Sequence, residues 1–88
     1  MSEPHEYRVK RLKMRSMRRG IKEMDLILQR FAEARLGTMD DAELSLYDAM
    51  LNENDHDLYQ WVSGQVPARE PYSELIDQII AELPPAAP

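Results

Sequence analysis

Cysteine is absent from the 88 residues, which removes disulfides, thiolate metal sites and cysteine nucleophiles and agrees with an intracellular compartment. Glycine occurs only three times, at positions 20, 37 and 64, too scattered to cradle a phosphate group. No apolar run approaches the roughly 18 residues of a membrane span, and the opening MSEPHEYR lacks the apolar block of a signal peptide. A soluble, cytoplasmic protein without membrane insertion is the expectation. Basic residues are almost missing from the later part of the chain. Residues 37–88 hold one Lys/Arg against eleven Asp/Glu, whereas residues 1–36 hold ten against five. Such asymmetry reads either as a basic face for an acidic partner or as two parts of one fold that attract each other.

What is present is helical pattern. Every segment between breakers has helical spacing, and none has the sustained period-two alternation of a half-buried strand. The length suits one domain with a small core. The expected architecture is therefore all-α, a compact five-helix bundle with short loops, monomeric when free. One helical domain would span residues 1–83, its first few residues loose, with a disordered Pro/Ala-rich tail, PPAAP, over 84–88.

The first helix is expected from about Tyr7 to Met17. Its clear feature is a stripe of Arg8, Arg11, Arg15 and Arg18, predicted to face water; Met14 and Met17 are open to either a core or a contact role. The second, Ile21 to about Leu36, is strongly amphipathic, with Ile21, Met24, Ile27, Leu28, Phe31 and Ala32 on one face. Leu26 projects from the opposite side, as an ordinary exposed leucine or part of a contact surface. Gly37 is expected to close this helix in the left-handed conformation.

Asp40 followed by Glu43 writes a capping box for a third helix, whose buried stripe is Leu44, Tyr47 and Leu51. Asp55 or Asp57 can cap a short fourth helix carrying Leu58, Trp61 and Val62 and ended by Gly64. Pro71 is suited to the first position of a fifth, with Leu75, Ile76, Ile79, Ile80 and Leu83 facing inward.

Catalytic inventories fail. His5 and His56 lie in unlike contexts without metal-ligand spacing, and the serines sit in no nucleophile-elbow sequence. Asp40 and Asp41 serve a helix start. No catalytic residue and no metal ligand is assigned. Two binding readings remain. Residues 1–22 carry eight Lys/Arg and two Glu, enough for a small nucleic-acid-binding or regulatory protein that uses a basic N-terminal arm. Against this stand the acidic remainder, a pI near 4.9 and the lack of aromatics between the arginines to stack bases. A protein-binding reading uses the same arginines to grip carboxylates.

The stretch RRGIKEMD, Arg18 to Asp25, contains R-G-x-x-E at Arg19, Gly20 and Glu23. It is followed in order by TMDDAEL, by D-x-D-L-x-x-W at Asp55, Asp57, Leu58 and Trp61, and by a closing apolar helix. From about Met14 to Leu83 this set resembles the succinate dehydrogenase flavinylation factor family. The resemblance implies a five-helix bundle that is not an enzyme. It implies an assembly factor that binds the flavoprotein subunit of succinate dehydrogenase, or of a related fumarate reductase, and promotes covalent attachment of FAD to a histidine of that client. FAD would then be attached to the client, and no cofactor would be held stably by this chain. The implied partner-binding residues are Arg19, Gly20 and Glu23, with Arg15, Arg18 and Asp25 beside them. Gly20 is expected to end the first helix in the left-handed conformation and to keep the corner tight and bare. Arg19 and Glu23 are expected to present charge beside it. Phe31, Leu58 and Trp61 are assigned to the core.

Overall fold

Helical spacing resolves into five α-helices among the described residues, 3–83 of a computed structural model. They are α1 His5–Arg15, α2 Lys22–Arg35, α3 Asp41–Met50, α4 Asp55–Val62 and α5 Ser73–Ala81, with a single 3-10 turn, Leu36–Thr38, after α2. No strand occurs among these residues. The tail 84–88 lies outside the described residues. Helix α2 is central, touching α1, α4 and α5, while α1 also packs on α3 and α4 on α5. The radius of gyration, 12.7 Å, is near the roughly 12 Å expected of a compact chain of this length.

Burial follows the apolar faces. Met24, Leu28, Phe31 and Ala32 of α2, Leu44 and Tyr47 of α3 with Leu51 just beyond it, and Leu58, Trp61 and Val62 of α4 all enter one core. The Phe31 and Tyr47 rings stack at 5.6 Å, and Trp61 stacks on Tyr72 at 6.2 Å. The Tyr47 hydroxyl meets Ser16 Oγ at 2.6 Å, deep in the interior. Burial pushes the Tyr47 phenol up to about 12 against the smaller opposing effects of the Ser16 hydrogen bond and the nearby arginines, so it stays neutral across the physiological range.

The capping box forms as written. Asp40 Oδ1 accepts the Glu43 N–H at 2.8 Å, and Glu43 Oε1 accepts the Asp40 N–H at 3.1 Å. Asp40→Ala removes the acceptor of the Glu43 N–H and leaves that donor to water, which is expected to cost about 1 kcal/mol, a fall of about 4–8 °C in Tm for a domain of this size. A thermal melt followed by circular dichroism checks it; an unchanged midpoint would mean that packing alone starts α3.

Several local expectations are corrected. The arginine stripe of α1 does not face water as a whole. Arg8 donates to Ser45 Oγ at 2.6 Å, Arg11 pairs with Glu3 at 2.9 Å and Asp48 at 3.3 Å, and Arg15 pairs with Asp48 and donates to Asn52 at 2.8 Å. Asp41, Ser45 and Asp48 make a polar stripe on α3 with nearly the same period, continued by Asn52 in the turn after it, so the parallel helices α1 and α3 zip together. The charge asymmetry of the sequence is thus spent at least partly inside the fold. Gly37 does not adopt a left-handed conformation and lies within the 3-10 turn, whereas Gly64 does, with φ 80°. Asn54, not Asp55 or Asp57, caps α4, accepting the His56 N–H at 2.8 Å. Helix α5 begins at Ser73, two residues past Pro71, and turns Ile80 partly outward.

Candidate functional site

The corner between α1 and α2 is built on the buried Ser16. Its N–H and its hydroxyl both donate to Leu12 O, at 3.0 and 2.8 Å, finishing α1. Two residues later the chain reverses at Arg18, whose φ of 57° makes it, and not Gly20, the left-handed residue of the turn. A non-glycine residue there carries a strain that must be offset locally. The Arg18 N–H donates to Asp25 Oδ1 at 2.9 Å, and Gln29 Nε2 donates to the same oxygen at 2.6 Å. Asp25 thereby ties the turn back onto the first turn of α2. Ile21 is extended and leads into Lys22.

Arg19 is the side chain whose placement departs furthest from expectation. It turns inward, with only 13% of its side chain exposed. Its Nε donates to Asp55 Oδ1 at 2.8 Å, one terminal nitrogen lies 2.7 Å from the same oxygen, and that nitrogen also donates to Leu51 O at 3.0 Å. The Gly20 N–H donates to Asp55 Oδ2 at 2.5 Å. No Arg19 to Glu23 ion pair exists; Arg19 pairs with Asp55 because the start of α4 lies beneath the corner, while Glu23 projects from the other side of α2.

The six residues implicated by sequence therefore separate into two sets. Arg18, Gly20 and Glu23 are exposed, and Glu23 forms no ion pair among the described residues. Arg15, Arg19 and Asp25 are half-buried and engaged with the chain's own groups. The first set can meet a partner directly. The second holds the first in place.

Two depressions flank the corner. A shallow one of about 470 Å³ is lined by Arg19, Gly20 and Ile21 on one wall and by Glu53, Asn54, Asp55 and His56 on the other. A more apolar groove of about 540 Å³ runs from Glu23 past Leu26, Ile27 and Arg30 to Tyr59 and Leu83. Leu26 is 60% exposed beside it, and Met14 and Met17 are exposed on the α1 side of the turn. The alternative of a core role for the two methionines is thus excluded. Sequence reasoning missed Asp55 as a corner residue by treating it as a helix cap. The available signal was Asn54, an equally good cap one residue earlier, which leaves the Asp55 carboxylate for another partner.

Comparison with known proteins adds the following. The family model described as flavinator of succinate dehydrogenase matches residues 10–83. A succinate dehydrogenase assembly factor 2, mitochondrial, from Candida glabrata is 43% identical over 74 residues, which cover 78% of this chain and 48% of that protein. The protein of the same name from Saccharomyces cerevisiae is 37% identical over 83 residues, 89% of this chain and 51% of the relative. That from Drosophila grimshawi is 35% identical over 83 residues, 92% and 56% respectively. The chain spans about half the length of these relatives.

Proposed function

The chain belongs to the family of flavinators of succinate dehydrogenase, and from that premise we propose that it binds the flavoprotein subunit of the dehydrogenase, or of a related fumarate reductase, and promotes covalent attachment of FAD to it. The observation that carries this reading is the bare Gly20, set between exposed Arg18 and Glu23 on a corner that the protein's own hydrogen bonds hold fixed. A rigid, charged and locally flat surface loses little freedom when a polypeptide docks on it. The factor does not act as an enzyme and holds no cofactor of its own. The flavin supplies the chemistry of attachment, and the factor contributes by orientation: it binds best the arrangement of the client in which the accepting histidine meets the flavin.

The factor works as a free monomer in the cytoplasm on this reading, although the relatives compared above are named mitochondrial. No helix among the described residues is long and apolar enough to cross a membrane. A nucleic-acid role gains nothing from the arginine stripe, because Arg8, Arg11 and Arg15 are occupied by α3.

The direct test is expression of a flavoprotein subunit with and without this protein, followed by measurement of flavin that stays bound after denaturation. Retained flavin should rise with the factor present; equal retention in both would overturn the proposal. Within the site, Glu23→Ala should weaken client binding by about 10-fold, as loss of a charged interface anchor does. Because Glu23 is exposed, its Tm should move by no more than about 4 °C. A titration of client by the variant, paired with a thermal melt, separates the two effects.

A further inference from the structure

Asp55 opens α4 without capping it, since Asn54 already accepts the His56 N–H at 2.8 Å. Its carboxylate is turned back onto the α1–α2 corner. Oδ1 takes the Arg19 fork, at 2.8 Å from Nε and 2.7 Å from a terminal nitrogen, and Oδ2 takes the Gly20 N–H at 2.5 Å. Arg19 and Asp55 are 13% and 16% exposed at their side chains, so water screens the pair weakly. The same carboxylate gives a reason for glycine at position 20. Gly20 does not have the positive φ that would call for glycine, but a methyl group on it would lie 3.3 Å from Asp55 Oδ2. That contact is tighter than van der Waals packing tolerates without the carboxylate giving way.

We propose that Asp55 is a positioning residue for client recognition: by holding the inward-turned Arg19 side chain and the Gly20 backbone it preforms the surface that Arg18, Gly20 and Glu23 present, and it acts through them. The inference rests on the reading of the corner as the docking surface. Without the carboxylate, Arg19 keeps only carbonyl acceptors, Leu51 O and Arg15 O, and the Gly20 N–H loses its acceptor. The segment from Arg18 to Ile21 then populates several arrangements, and the client must select the competent one. Apparent affinity falls by the fraction that remains competent. Once the complex has formed the corner is in place, so the rate of flavin attachment at saturation is unaffected.

Asp55→Asn tests this, because it keeps the shape and removes the charge and one acceptor. With the full-length variant titrated against the flavoprotein subunit, the half-saturating concentration should rise about 10-fold, with the saturated rate of flavin attachment and the helical circular dichroism unchanged. Arg19→Lys retains a positive charge but not the planar fork, and should weaken binding in the same way. In the double variant the two effects should not multiply, since both break one interaction. An unchanged half-saturation in Asp55→Asn would overturn the proposal. So would a saturated rate that falls in step with the folded fraction, which is the mark of a purely structural residue. If Arg19→Lys is silent, the fork is not what Asp55 positions and the proposal also fails. Should Glu23→Ala bind the client normally as well, the docking corner itself is wrong; should Glu23→Ala weaken binding while Asp55→Asn does not, only the positioning role falls.

Discussion

Gly20→Arg is expected to give a folded, helical protein that no longer raises covalent flavin in the client. Gly20 is exposed and its backbone is not left-handed, so a side chain there breaks no core contact and requires no forbidden φ. The new side chain extends into the depression bounded by Glu53, Asn54 and His56, where it finds carboxylates and water. The first carbon of that side chain, however, sits 3.3 Å from Asp55 Oδ2, and its guanidinium competes with Arg19 for the same carboxylate. The surface a partner backbone would approach is filled and the fork beside it is displaced. A bulky charged group at the centre of a docking surface removes binding by steric exclusion and leaves opposing polar groups unpaired. The loss should be at least about 100-fold in client affinity, against a change in Tm of no more than about 4–8 °C. Denatured client assayed for retained flavin, beside a melt of the variant alone, gives both numbers. Normal flavin attachment by Gly20→Arg would show that no polypeptide docks on this corner.

The same corner shows what a sequence can reveal and what it conceals. The apolar face of α2, the Asp40–Glu43 capping box and the Gly64 terminus were legible because each depends on neighbours within one turn of the chain. Contacts between helices were not. Arg8, Arg11 and Arg15 look like a solvated stripe until α3 is laid beside them, and only then does the matching period of Asp41, Ser45 and Asp48 acquire meaning. The left-handed position fell on Arg18, two positions before the obvious glycine, because Asp25 seven positions later accepts the Arg18 N–H. Propensity favours glycine at such a site, but a hydrogen bond from elsewhere in the fold outweighs a preference of about 1 kcal/mol. Of the six residues implicated by motif, Glu23 could be foreseen as surface from its phase on α2 and Arg18 from its place in the arginine stripe, while Gly20 was expected as the bare corner between the helices. That Arg19 would be drawn inward by Asp55 could not, since 36 residues separate them in sequence.

A loss of the opposite kind is expected from Phe31→Ala. Phe31 is fully buried at the middle of α2, stacked on Tyr47, with the Arg35 guanidinium 5.8 Å from its ring centre. Tyr47 in turn bonds Ser16, the residue on which the corner is built. Truncation removes a whole ring from a small core and leaves a cavity that helices pinned on both sides cannot close, at about 3–5 kcal/mol. Domains of this size have only about 5–15 kcal/mol in total, and small ones sit near the lower end. The Tm should fall by about 15 °C or more, taking client activity with it. The two variants then separate by temperature. Flavin attachment by Phe31→Ala should recover on cooling as the folded fraction recovers, because its docking corner is chemically intact, whereas Gly20→Arg should remain inactive at every temperature at which it is folded. If Phe31→Ala melts within a few degrees of the native chain, the ring pair is not what holds α2 against α3, and the support assigned to the corner from behind through Tyr47 and Ser16 has to be sought elsewhere.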